Sequence, residues 1–534
     1  MSLAHSRASW RASGAALAIA RTIVRIIVTG LILSPIVYLA AVSVVRSGPL
    51  FSAYGELARP EVGPILGRTI ALALASTLLA AVLGGVAGLV FEARKFPARR
   101  LLGAVSVAPL VLPPFLHVAV WERLAAPGGL LAAAFPFAAD GKGFPIRNLP
   151  VAAWILGSSL SPVFFFLARQ GLRAVPDELV DAARLTRGSV AVWTRVILPL
   201  VAPPMAAGAG VVLTMSLLSY EVPRLLDVTT YSVLVNLNYG ALDDPGRAFA
   251  AAVPLFAVSA AGLIGAEAWA DRRGFSIAGR ERRDRCDPCM RPGVTAWCVT
   301  GIYWSLTIFL PAVVLVSLVG RPIVLARAWL TDWEKILSGC GMAVAAGIGA
   351  AIAAGALLLP PRRQRLLGIL PLGLPLALPG ALLGFAGIHL AATGPFAWWV
   401  DGPGLLWLAH VVRFTPIAVF ILRAQLRAVP QDERDAAALG PRGTARWLDA
   451  WIPLAAPGLT AGALAAALFS STELSATILL AAPGAEPVIV RMYNLLHYGP
   501  ERDALAALCM FQVAGAIAAA AAIGCIGAFL ARRR

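Results

Sequence analysis

Long apolar runs alternate along this chain with short polar stretches that carry arginine. A run of about 20 apolar residues is long enough to cross the hydrocarbon core of a bilayer as a helix. On that measure the pattern predicts twelve spans, near residues 26–45, 69–91, 101–120, 151–168, 196–219, 248–270, 295–319, 340–360, 366–390, 403–422, 452–480 and 504–530. The third run contains Pro109, Pro113 and Pro114. Prolines at that depth break a helix, and a membrane tolerates the break only where protein or a water-filled cavity satisfies the freed backbone groups. Arg21 and Arg25 stand before the first run, where their long side chains can reach the head groups. No small-residue cleavage site follows that run, so it reads as a retained first helix.

The polar stretches repeat. Residues Leu172 to Pro203 and Leu426 to Pro457 align without a gap at an offset of 254, as in 430−176 for the Val-Pro prolines, 435−181 for the Asp-Ala-Ala aspartates and 447−193 for the tryptophans. Pro162, Phe166 and Arg169 pair with Pro416, Phe420 and Arg423 at the same offset. The expected organisation is a duplicated unit: residues 1–270, a basic linker at 271–293, and residues 294–534. Six spans in each unit give the two units parallel orientation.

Composition agrees with an all-α polytopic membrane protein. The chain has 534 residues, 59% of them hydrophobic and 14% charged, against about 45–50% and about 25% in soluble domains. The formal net charge of +17 does not point to nucleic acid, because no nucleic-acid motif accompanies it. The basic residues cluster instead in short loops on one side, such as Arg94-Lys95, Arg99-Arg100, Arg362-Arg363, 271–292 and Arg532 to Arg534. The opposite loops carry singles such as Arg59, Lys142, Arg321 and Arg491. This asymmetry places both termini and both repeated stretches in the cytoplasm.

In each repeated stretch a proline (Pro176, Pro430) precedes a segment with acids at its start, which suits a helix N-terminus. Asp181-Ala182-Ala183 and Asp435-Ala436-Ala437 follow, then Gly188 in one copy and Gly440 or Gly443 in the other. Trp193 and Trp447 come next, and the prolines Pro199 and Pro453 close the pattern. The alanine pair would let a partner surface approach closely. The tryptophans would anchor a second helix in a partner pocket or at the lipid interface. The plain alternative is a basic interfacial loop, which does not account for the retained spacing.

These residues resemble the EAA loop of bacterial ABC-importer permeases, with Asp181 and Asp435 standing where that family carries glutamate and with the central glycine displaced. Val412-Arg413-Phe414, and Glu473-Leu474-Ser475-Ala476-Thr477 followed by Pro483-Gly484, resemble the second half of fused permeases of the ferric-iron importer group. Thiamine and phosphonate importers share the layout. The resemblance implies a non-catalytic permease in the bacterial inner membrane that receives a small solute from an extracytoplasmic binding protein. Ferric iron comes first, with thiamine, phosphonate or a similar solute as alternatives. It also implies a separate cytoplasmic ATPase, docked as a dimer on the two loops and using the ATP, with no cofactor bound by this chain. The chain itself lacks a GxxxxGK[ST] loop; Gly141-Lys142-Gly143 has neither the spacing nor the hydroxyl. The main rival is a secondary transporter with parallel repeats.

Charges inside apolar runs mark candidate path residues, because lipid exposure would cost them dearly. Glu473 is expected on the substrate path, Glu221 at the matching end of the fifth run as a gate or weaker contact, and Arg413 within the tenth run, on the path or against a neighbouring helix's carbonyls. His117 and His389 read as packing residues. No metal site is expected, since Cys286 and Cys289 form a lone CxxC with no second pair.

Overall fold

A computed structural model describes residues 2–46, 60–131, 144–186, 188–242, 245–272, 291–359, 370–392, 402–439, 447–482, 484–499 and 501–531. Most of the linker with Cys286 and Cys289, together with Gly440, Gly443 and Arg362 to Arg365, lies outside the described residues, and of Trp447 only the backbone is described. Among the described residues there is helix and no strand.

The helices are α1 (Ser2–Arg46), α2 (Val62–Ala93), α3 (Arg99–Val111), α4 (Pro114–Ala125), α5 (Leu149–Ala174), α6 (Asp177–Thr186), α7 (Ser189–Leu218), α8 (Glu221–Leu225), α9 (Tyr231–Leu242) and α10 (Pro245–Arg272). They continue as α11 (Val294–Val319), α12 (Pro322–Leu358), α13 (Pro371–Ala377), α14 (Gly380–Ala392), α15 (Pro403–Ala428), α16 (Gln431–Leu439), α17 (Ile452–Ser471), α18 (Thr477–Leu480), α19 (Val488–Tyr498) and α20 (Arg502–Ala531). Ten of these are long and apolar enough to cross a membrane, and twelve spans result if each of two bent pairs counts as one. The chain is therefore a polytopic helical membrane protein.

The bent pairs are α3–α4, at 91°, and α13–α14, at 107°. Both break at a Leu-Pro step, Leu112-Pro113 and Leu378-Pro379, whose prolines cannot donate to the preceding turn. The eleventh expected span also stops early, at Ser471 rather than 480. There Ser471 and Thr472 donate their hydroxyls to the carbonyls of Leu468 and Phe469, at 2.8 and 3.1 Å, and such local bonds compete with the helix ladder. Helix α12, the eighth expected span, begins at Pro322, well before the expected 340, and kinks at Asp332, where φ is −124° and ψ 15°. Its first turns are charged enough to escape a search for apolar runs.

Element bounds recur at the sequence offset: Leu149–Ala174 against Pro403–Ala428, and the π-helical turns Trp193–Ile197 against Trp447–Trp451, are each 254 residues apart. Helices α7 and α10 run antiparallel, with Gly210 against Leu263 and Ala266, and Gly262 against Leu213. So do α12 and α17, with Gly347 against Ala463 and Ala467, and Gly355 against Leu459. The close approaches need glycine, since a Cβ at Gly347 would meet the Ala463 carbonyl. The C-terminal ends of α10 and α12 thus return to the face that carries α6 and α16. Arg25 of α1 donates to the Leu359 carbonyl at 3.0 Å, and Gly527 of α20 lies against Thr460. The start of the first span and the end of the last therefore share that face as well.

Helix α1 packs on α12 and α14 as well as on α10, while α11 packs on α2, α4 and α20. The largest apolar core joins early and late helices, running from Ala80, Phe164, Val212 and Leu263 to Ala354, Leu376, Phe414 and Leu422.

Candidate functional site

Three breaks in helical structure meet inside the bundle: the α3–α4 and α13–α14 bends, and the non-helical stretch after α17. A cavity of about 80 Å³ lies among them, lined by Pro109, Leu112, Phe115, Ser159, Ser219, Glu221, Arg413, Phe414, Glu473 and Ser475 among others. That is room for a few water molecules. The three charged residues expected near a path, Glu221, Arg413 and Glu473, are all brought together here.

Their partners differ. Arg413 is 3% exposed. Its Nη1 donates to the carbonyl of Leu378 at 2.7 Å, the peptide oxygen at the α13–α14 break. Its Nε lies 3.1 Å from Glu473 Oε2. Glu473 Oε1 accepts from the Ala476 N–H at 3.2 Å, which fixes the turn after α17. The Glu473 charge is thus already balanced by a cation. Glu221, at the start of α8, accepts from Ser475 Oγ at 3.0 Å and has no cation within ion-pair distance among the described residues. Among the described residues Glu473 has a cationic partner and Glu221 does not.

The sequence offset of 254 places Ser475 opposite Glu221, Ser219 opposite Glu473 and Ser159 opposite Arg413. Glu221 therefore hydrogen-bonds to the residue at its own repeat position, and the matching end of the fifth run to Glu473 is Ser219.

A buried histidine beside this cavity was not singled out in the sequence. His410, one turn before Arg413, hydrogen-bonds through Nδ1 to Ser470 Oγ at 2.7 Å and through Nε2 to Thr477 Oγ1 at 3.0 Å. It ties α15 to both sides of the break after α17. His117 meets the Pro109 carbonyl at 3.1 Å, and His389 stacks on Tyr38 and meets Phe385 at a tilt.

The repeated stretches form surface helices. In α6, Asp181 and Ala182 point outward while Ala183 packs inward on Leu172, Val175, Val180, Val192, Ile197 and Val201. In α16, Asp435 and Ala436 point outward and Ala437 packs on Val429, Trp451 and Leu454. Pro176 and Pro430 stand just before the two helices, and Gly188 is exposed after the first. Pro199 is exposed, whereas Pro453 is buried. Trp193 rests half-buried on the apolar cluster beneath its own loop, so it anchors that loop to its own bundle. Leu185 and Leu439 end the two helices with large apolar side chains, 88% and 86% exposed.

Each loop is rooted in an arginine pair one turn apart. Arg169 and Arg173 meet Glu92 at 3.0 and 2.6 Å, and Arg99 adds a third contact at 2.6 Å. Arg423 and Arg427, at the same positions in the repeat, both meet Asp271 of α10, Arg423 at 3.0 Å. The acids could not be found by the repeat because they do not sit at repeat positions. No group of three or more His, Cys, Asp or Glu with metal-holding geometry occurs among the described residues.

No protein-family model matches the chain, and no curated protein matches it.

Proposed function

We propose that the chain is the fused permease of an ATP-binding-cassette importer. Residues 1–270 and 294–534 form two six-helix halves, and the basic face with α6, α16 and the termini is cytoplasmic. A separate ATPase dimer docks on α6 and α16 and supplies the ATP chemistry. Its strokes rock the halves and open the cavity around Glu221, Arg413 and Glu473 alternately to each side, a population shift between two packings. A binding protein delivers the solute from outside. Ferric iron or another cationic species suits a cavity whose unbalanced group is a carboxylate; thiamine fits the same sign, and a bare phosphonate does not.

The observation that carries this reading is the pair of exposed helices, α6 and α16, set at equivalent points of a duplicated chain. Each is fixed from below by apolar packing and presents Asp-Ala outward with a bare leucine at its end. A loop that only joined spans would have no need to keep that surface twice.

The test is Asp181→Lys and Asp435→Lys, each co-expressed with the ATPase subunit that co-purifies with the parent chain. An exposed charge contributes little alone, but a reversed one inside a docked interface costs several kcal/mol. The expected result is normal membrane insertion with loss of ATPase co-purification and uptake. Normal co-purification and uptake in both variants overturns the reading. A secondary transporter is the second reading, favoured by one observation, the Glu221 carboxylate without a cationic partner, which could serve an ion-coupling role. Uptake that survives ATP depletion but stops on collapse of the proton gradient selects that alternative.

A further inference from the structure

The two surface helices are rooted in different ways, and the difference crosses the interface. Under α6, Glu92 of α2 gathers Arg99, Arg169 and Arg173, all from residues before 175. Under α16, Arg423 and Arg427 of α15 are held by Asp271 of α10, the helix that leads into the linker. Glu267 lies one turn back on the same side of α10, is 9% exposed, and interacts electrostatically with both arginines. Two acidic residues thus face two arginines in one node. Arg423 is 8% exposed within it, so it is tied rather than solvated.

Above the node, α16 is clamped to α15. Arg434 donates to the carbonyls of Arg427 and Val429 at 3.0 and 2.7 Å, filling acceptors that a helix C-terminus leaves open. At the matching position α6 has Val180, buried in its apolar cluster. A displacement of α16 therefore passes through Arg434 to the end of α15, and through Arg423 and Arg427 to Asp271.

We infer that the node of Glu267 and Asp271 with Arg423 and Arg427 is a cross-half tie, which makes α16 move with the last helix of the first half, whereas the charged root of α6 lies within its own half. The proposed importer supplies the consequence, that the two ATPase contacts are mechanically unequal, but the tie itself is read without any ATPase.

The test uses the full chain in lipid nanodiscs, freed of native cysteine, with spin labels at Thr186 and Leu439 to report α6 against α16. A second pair at Leu439 and Ile526 reports α16 against α20 of its own half. Neutralising the acids (Glu267→Gln with Asp271→Asn) and neutralising the arginines (Arg423→Gln with Arg427→Gln) provide two independent routes. Either should broaden and shift the Thr186–Leu439 distance distribution while leaving Leu439–Ile526 narrow, and combining all four changes should add nothing further. If one route yields no folded protein, the other decides. A Thr186–Leu439 distribution that superimposes on the parent's, or equal broadening of both pairs, overturns the tie. Loss of ATPase docking in Asp435→Lys bears on the importer reading and leaves these distances untouched.

Discussion

Cutting the Arg413–Glu473 pair from each side separates its structural share from any share in transport. The two side chains are 4% and 10% exposed, and removing one partner of a buried pair typically costs about 3–5 kcal/mol. The two cuts are not equal here. Arg413→Ala leaves Glu221 and Glu473 in one small cavity without a cation and also orphans the Leu378 carbonyl at the α13–α14 break, a further loss of about 1–3 kcal/mol. Glu473→Ala leaves Arg413 its carbonyl partner and a second carboxylate, Glu221, lining the same cavity, so its loss falls at the lower end of about 3–5 kcal/mol. Arg413→Met with Glu473→Leu removes both charges at similar volume, which leaves mainly the orphaned carbonyl at about 1–3 kcal/mol. The expected order of stability is parent, double variant, Glu473→Ala, Arg413→Ala, measured by unfolding in mixed detergent micelles with tryptophan fluorescence. A double variant that loses the sum of the single losses refutes the pair as a stabilising unit. Glu473→Gln keeps an acceptor for the Ala476 N–H, so uptake at matched protein level then tests the charge alone.

Single cysteines at Thr186 and Leu439, both exposed, should react with a membrane-impermeant maleimide only from the inner side of oriented vesicles; reaction from outside in intact cells sinks the proposed orientation. Gly84→Leu should cost more than about 3 kcal/mol, because even a Cβ there would meet the backbone of Ser161 and overpacking alone costs about 1–3 kcal/mol. Gly30→Leu, with open space around it, is the matched control, and equal yields of folded protein from both contradict the close α2–α5 approach. Ser475→Glu places a second carboxylate against Glu221, and two such groups cannot both ionise cheaply. The folded state then binds more protons than the unfolded one near neutral pH, so the variant's stability deficit should shrink as pH falls; a deficit independent of pH between 5 and 8 argues against that contact.

Spans were legible because burial in lipid demands a long apolar run and little else. Their breaks were legible where proline enforces them, as at Pro113, and not where hydroxyls do, as after Ser471, because Ser and Thr also sit quietly inside helices. The repeated surface helices showed through their spacing, down to the π-helical turn at Trp193 and its counterpart at Trp447. The charged residues of the cavity showed as charges in apolar runs, yet their pairing did not. Arg413 and Glu473 lie 60 residues apart (473−413), and only the fold brings the guanidinium to the carboxylate. The roots of the loops were half legible. Arg169 and Arg423 stood out as a repeat pair, but their acids come from different helices, Glu92 from α2 and Asp271 from α10, so no offset connects them.

The contact between Glu221 and Ser475 explains why the charges are so unevenly shared. Residues 254 apart can touch only where the repeat relation maps that point of the bundle nearly onto itself. On the duplicated reading, that point lies on the axis relating the halves. A symmetric dimer must place the same side chain on both sides of such an axis. Two glutamates there would face each other in a cavity of about 80 Å³ and repel, and two serines would leave it without the charge. A fused chain, as proposed, escapes the constraint. It can keep the carboxylate once, as Glu221, and supply the donor from the other side, as Ser475. The same freedom lets Arg413 and Glu473 hold the break in one half while Ser159 and Ser219 occupy the matching places in the other. It also lets Asp271 reach across to a loop whose counterpart is held by Glu92 from within. The two asymmetries around the cavity share one physical cause on this reading: near an axis, a charge in one half is felt by both, so the second copy is redundant or repulsive.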